Sequence, residues 1–311
     1  MIELKSGTIS TRDLICATTL VTRVFTAASS YEERLHLVMT EFLSLFSAKL
    51  VTAAIIRPTR DTPTGLASVE VSEGSHLGEL TQEERDAMLR YFADIHRDPD
   101  PAHTAMCEAL LAMQRAGRIE PLAKSHESLV GKDAPRWNEH CANVRTPGNV
   151  GAEMFIATPT QESGLWGALT LHRASQQPGF TARDEALALA FAHSLQPMFD
   201  ARIKERTAQR IVASLTPRLR ETLAGILAGG SEKTIASSMD LSRHTIHEHM
   251  KRLHRAFSVS TRTELLAAVH RLGITLDMLL PASDTPPPLL MGKRAKVALG
   301  KKPASSRRKS K

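Results

Sequence analysis

Residues 215–269 read LTPRLRETLAGILAGGSEKTIASSMDLSRHTIHEHMKRLHRAFSVSTRTELLAAV, four short apolar-periodic segments with a start signal before each. That punctuation restricts the stretch to a compact bundle of short helices. Thr216 with Pro217 opens the first helix, the proline standing where its missing N–H is not needed. Gly229 and Gly230 close it, Ser231 opens the second, Ser242 the third and Thr261 the fourth. Thr261 and Glu264 also have the T-x-x-E spacing of a capping box. The second and third helices meet across the tight turn Met239–Asp240–Leu241, which suits a helix-turn-helix whose second helix enters the DNA major groove.

The third helix, expected over 242–257, divides into two faces. Ile246, Met250, Leu253 and Phe257 are spaced by four, three and four and form one apolar stripe. The opposite face carries His244, Glu248, Lys251 and Arg255, bordered by Thr245 and Arg252 on one side and His247 on the other. An ordinary amphipathic surface helix would show the same two faces. The capped turn and the small residues Ala236, Ser237 and Ser238 in the preceding helix favour DNA reading.

This segment resembles the LuxR/GerE-type helix-turn-helix family without a gap. The match runs through Leu215, Thr216, Pro217, Arg218, Arg220, Glu221 and Leu223, then Gly229, Ser231, Lys233, Ile235 and Ala236. It resumes with Ser242, Thr245, His249, Val259, Arg262, Thr263, Glu264 and Leu265. The resemblance implies an all-α four-helix domain that binds specific DNA sequences, usually as a homodimer paired through the fourth helix. It places the family's base-reading positions on His247, Glu248 and Lys251, with phosphate contacts near Thr245 and Arg252. Arg243, His244, Arg255 and, from the second helix, Lys233 complete the expected DNA-contact set.

Three positions depart from the family pattern. Leu219 replaces the N3 glutamate of a capping box, so the first helix keeps only the Thr216 half. His247 stands where lysine is usual, a weaker phosphate partner when neutral. Glu248 is repelled by phosphates but can accept a hydrogen bond from cytosine N4, which points to a distinct operator or to a neutral surface role. His249 borders the apolar stripe and reads as a packed histidine rather than a ligand.

Charge is unevenly distributed along the 311 residues. Residues 1–199 hold 18 Lys/Arg against 24 Asp/Glu, a net of −6, whereas residues 282–311 hold nine basic side chains and one acidic, a net of +8. The basic end is the part expected to meet phosphate. Pro286 to Pro288 break any helix, and the Lys/Arg/Ala/Ser-rich remainder cannot bury enough surface to order itself. That tail is either a solubilising terminus or a non-specific DNA anchor working by counterion release. An architectural, nucleoid-type protein dominated by the tail is therefore the competing class to a sequence-reading regulator.

The region before the helix-turn-helix reads as α+β. Tyr31–Ala48 has helical spacing and Leu50–Arg57 is a strand. Thr81 with Glu84 caps a helix through Ala93, and His103–Ala116 is another. Glu153–Thr158 and Leu165–His172 form two adjacent strands, and a long helix runs from Arg183 toward Arg210 with an interruption near Pro197. The segment from Gly164 to Leu195, with its G-x-L-x-L-x-R strand followed by Phe180, Thr181 and Asp184, resembles the closing strand and exit helix of GAF/PAS-like sensor domains. The resemblance implies an antiparallel sheet flanked by helices that passes a small-molecule or protein signal onward. The chain accordingly divides into an α+β sensor-like domain (1–182), a coupling and dimerisation helix (183–213), the helix-turn-helix domain (214–275) and a disordered basic tail (282–311).

No catalytic constellation, metal-ligand set or cofactor motif is expected. Cys16, Cys107 and Cys141 are scattered, which fits a reducing cytoplasm rather than a disulfide framework or structural zinc. His140 and Cys141 adjoin without forming a dyad, and Asp98 and Asp100 flank a proline in a solvated stretch. Trp137 and Trp166 are candidates for lining a ligand pocket, with core packing as the alternative for each. No apolar run is long enough to span a membrane, and double-stranded DNA is the partner expected in the nucleoid.

Overall fold

The computed structural model describes residues 9–94, 99, 101–130, 142 and 145–280. Trp137, His140, Cys141, Asp98, Asp100 and the basic tail lie outside the described residues. The chain divides into two compact units, Met1–Ile211 and Val212–Lys311.

The first unit is built on one antiparallel sheet. Its strands are β1 (Leu50–Thr59), β2 (Ser68–Gly78), β3 (Leu122–Ser125), β4 (Ala152–Pro159) and β5 (Trp166–Arg173), in the order β2-β1-β5-β4-β3. Among the described residues, the α-helices before β4 are α1 (Thr11–Ala27), α2 (Tyr31–Leu45), α3 (Gln82–Asp94), α4 (Pro101–Arg115) and the short α5 (His126–Leu129). The α6 helix (Ala182–Ser214) follows β5. Capping boxes open α1 (Ser10 with Asp13) and α2 (Ser30 with Glu33), each satisfying backbone donors that a helix start leaves free. This is the expected α+β organisation with an antiparallel sheet between helices.

Strand alternation gives the sheet two different faces. Val51, Ala53 and Ile55 of β1, Met154 and Ile156 of β4 and Leu169 and Leu171 of β5 belong to one core with α1, α2 and α6. The rings of Phe42 and Phe191 meet edge-on at 5.3 Å in this layer, and Phe42 meets Phe46 at the same distance. Truncating a ring of this kind to alanine costs about 3–5 kcal/mol. The other face carries Ile56, Val69, Phe155, Ala157 and Ala168, packed against Met106, Cys107 and Leu110 of α4.

Two sequence expectations change. Pro197 does not interrupt α6, which is continuous across it. The missing N–H forfeits one helical bond, but Leu195, Met198 and Phe199 are all buried against the sheet and hold the flanking turns in place. The sheet also has strands that the sequence pattern did not mark. β2 is an edge strand, exposed over most of its length, so it lacks the period-2 apolar signal. β3 is only four residues long.

The second unit is helical: α7 (Pro217–Leu227), α8 (Glu232–Met239), α9 (Arg243–Ala256), α10 (Arg262–Leu272) and the short α11 (Leu276–Leu279). Thr216, Ser231, Ser242 and Thr261 each accept a hydrogen bond from the N3 backbone of the helix they open. Thr261 and Glu264 complete a capping box, while Leu219 leaves α7 with the Thr216 half alone. Asp240 adopts the left-handed conformation (φ 53°, ψ 46°) that reverses the chain between α8 and α9. Asp tolerates that region better than most side chains.

Candidate DNA interface and ligand cavity

The apolar stripe of α9 is buried as its spacing requires: Ile246, Met250, Leu253 and Phe257 all face the unit's interior. One polar contact fixes the helix from behind, and a second fixes the loop between α7 and α8. His249 Nδ1 lies 2.9 Å from Thr222 Oγ1 on α7, and Arg262 Nη2 donates to the Gly230 carbonyl at 2.7 Å from the start of α10. These contacts brace α9 and the α7–α8 loop, so the outward face of α9 is presented on a rigid support.

That face gathers most of the residues expected to meet DNA. Arg243, His244, His247, Lys251, Arg252 and Arg255 are exposed, and Lys233 is exposed on α8. Thr245 is half-buried because its hydroxyl sits 2.8 Å from the Ser242 hydroxyl and its N–H donates to the same cap. Glu248 is half-buried beside Lys251, whose Nζ donates to its carboxylate at 2.8 Å. The hydrogen bond from Lys251 holds the Glu248 carboxyl below the usual range against a smaller opposing effect of burial; His244 and His247 add to the lowering. The α9 face therefore presents an acceptor and a donor side by side rather than an unbroken basic strip.

A further acidic group stands beside it that the sequence pattern did not single out. Glu232, in the first turn of α8, lies 3.4 Å from His247 Nδ1 and 3.9 Å from Arg243 Nε. In sequence it is an acid in a helix's first turn, where the helix dipole favours it. Its reach across to α9 depends on the Asp240 turn, which brings the two helices together.

The first unit contains a cavity of about 80 Å³ between the sheet and α4. Ile56, Val69, Val71, Met106, Phe155 and Ala168 supply its apolar wall. Glu153 and His172, directly opposite each other on β4 and β5, form its polar pole, with His103 of α4 also lining it. Glu153 Oε1 lies 2.9 Å from His172 Nδ1, and its Oε2 lies 2.6 Å from His126 Nδ1. All three side chains are buried. Trp166 takes the core alternative: it is packed with Ile56 and Ala168 in the apolar cluster, and the cavity lining does not include it. The cavity residues escaped sequence reading because Glu153, His172 and His126 lie far apart in the chain and share no local motif. Among the described residues no group of three or more His, Cys, Asp or Glu could hold a metal ion, and no helix is long and apolar enough to cross a membrane.

Residues 213–269 match the GerE family profile, "Bacterial regulatory proteins, luxR family". The nitrate/nitrite response regulator protein NarL of Escherichia coli (strain K12) is 30% identical over 163 residues, which is 52% of this chain and 71% of that protein. The transcriptional regulatory protein FixJ of Bradyrhizobium diazoefficiens is 31% identical over 97 residues, 30% of this chain and 47% of that protein. Among solved structures, Escherichia coli SdiA aligns with 14% identity over 84% of this chain and 98% of that chain, with a TM-score of 0.36. The braced helix-turn-helix and the relatives agree: the chain belongs to the luxR family of bacterial regulatory proteins and is a DNA-binding transcriptional regulator.

Proposed function

We propose that α9 reads an operator in the major groove and that the first unit sets its activity in response to a signal. The observation that carries the reading is the outward face of α9, where Arg243, His247, Glu248, Lys251, Arg252 and Arg255 are displayed on a helix braced from behind. Glu248 accepts from cytosine N4 while Lys251, already beside it, donates to guanine O6 or N7 of a neighbouring pair. Thr245, Arg252 and Lys233 contact phosphates, and Arg243, His244 and Arg255 flank them. Glu232 restrains His247 and Arg243, reducing their availability to phosphate and leaving discrimination to the Glu248–Lys251 pair.

The protein acts as a cytoplasmic homodimer on paired half-sites, by binding rather than by turnover. Residues 1–182 receive the signal, residues 183–213 couple and dimerise, residues 214–275 bind DNA, and the basic tail 282–311 adds sequence-independent affinity. Genome-wide recovery of bound DNA, followed by titration against the recovered site and a scrambled duplex, tests the reading. A shared palindromic site bound about 10³-fold or more above the scrambled duplex supports it. Equal affinity for both duplexes rejects it and leaves the architectural class standing.

A further inference from the structure

We propose that the cavity between the sheet and α4 binds a small, uncharged, apolar molecule bearing one hydroxyl, held at His172 Nε2. The inference rests on the sensory reading of the first unit and supplies the chemical class of its ligand.

Three observations carry it. The wall is mostly apolar, formed by Ile56, Val69, Val71, Met106, Phe155 and Ala168, and Thr52 and Thr170 also line it. Its polar pole contains an imidazole nitrogen in need of a partner: His172 is 3% exposed, lines the cavity, and its Nε2 finds no hydrogen bond among the described residues. Both oxygens of the Glu153 carboxylate already face an imidazole, His126 at Oε2 and His172 at Oε1. The Glu153 carboxylate stands against Nδ1 of the His172 ring, which leaves Nε2 as the ring nitrogen for an occupant of the cavity that His172 lines.

Charge and size narrow the occupant. An anion would meet Glu153, and a cation would lose its hydration against a mostly apolar wall with each carboxylate oxygen already facing an imidazole. A neutral ligand remains. A hydroxyl both donates and accepts, so it satisfies Nε2 in either protonation state of the ring. A single water would satisfy Nε2 and leave the apolar volume unfilled. The cavity, about 80 Å³, is smaller than the ~150 Å³ engineered cavity that holds benzene, so the ligand is compact.

The test uses the full chain with n-butanol and its apolar isostere n-butyl chloride, following the unfolding midpoint against ligand concentration. Histidine imidazole ¹⁵N NMR reports on His172 directly. Saturable binding of n-butanol with a shift at the His172 Nε2 resonance is expected. His172→Phe lowers the ratio of n-butanol to n-butyl chloride affinity about tenfold, the worth of one hydrogen bond. If His172→Phe fails to fold, Ala168→Leu fills the cavity from its apolar side and abolishes saturable binding of both probes. Absence of saturable n-butanol binding overturns the proposal, as does an affinity ratio unchanged by His172→Phe. Operator titration in the presence of n-butanol separates this proposal from the sensory reading. Saturable binding with unaltered DNA affinity keeps the site and removes the sensing role. Absence of n-butanol binding, in a protein whose DNA affinity another signal changes, removes the ligand class and keeps the sensing role.

Discussion

Thr222 of α7 and His249 of α9 meet at 2.9 Å between Oγ1 and Nδ1, and this contact ties the reading helix to its scaffold. Thr222 is fully buried and its hydroxyl also donates to the Arg218 carbonyl at 2.8 Å. With that proton committed, the hydroxyl accepts from His249 Nδ1–H, which assigns the tautomer of the ring. Burial first, then the nearby charges of Arg252 and Arg218, push the His249 pKa below its usual value.

The sign of the resulting pH dependence follows from linkage. A histidine whose folded pKa is depressed binds protons more readily when unfolded, near about 6.5. Its stabilisation is complete above that value and is lost as pH falls below it. The second unit is expected to lose stability between about pH 7.5 and 5.5 more steeply than in His249→Asn, measured by urea unfolding across that range. Thr222→Val should cost about 1 kcal/mol at about pH 7.5 by leaving the ring N–H unpartnered.

Glu248→Ala removes the carboxylate that holds Lys251. Non-specific affinity should rise because a negative charge leaves the DNA face, while preference for the native base at the contacted position falls by about 1–3 kcal/mol. Titration against duplexes substituted at one base pair at a time measures this. An unchanged base preference removes Glu248 from the reading set.

Deleting residues 285–311 should weaken binding to operator and scrambled duplex by the same factor. It should also flatten the plot of log K against log salt, by about 0.9 for each phosphate that the tail had neutralised. The nine basic side chains of residues 282–311 set the upper limit of that change. A slope unaffected by the deletion leaves the tail as a solubilising terminus.

Gly167 of β5 lies beneath the Phe199 ring of α6, so close that an added Cβ would fall within the ring's van der Waals envelope. Gly167→Ala should destabilise the first unit by about 1–3 kcal/mol through overpacking. Phe199→Leu in the same chain should recover part of the loss, read as the midpoint of thermal unfolding. Full additivity of the two substitutions would show that the ring does not press on this position.

Legibility differed between the two units for identifiable reasons. The helices of the second unit carry their boundaries locally, in Thr216, Ser231, Ser242 and Thr261, and the stripe from Ile246 to Phe257 orients α9 before any tertiary contact is known. In the first unit, apolar and β-branched runs revealed β1, β4 and β5, the three inner strands of the sheet. They could not reveal β2, whose residues are mostly exposed, or the persistence of α6 through Pro197, which packing enforces.

Sequence alone determined the order of capped helices, the amphipathic face of α9, its unusual Glu248 and the basic character of the last thirty residues, because each depends on neighbours within a turn or two. Tertiary structure decided that Glu232 reaches His247 and that Glu153 brings His126 and His172 together at the end of an apolar cavity. Both depend on where a turn or a strand register places groups that are distant along the chain, and a hydrogen bond operates only over about 3 Å.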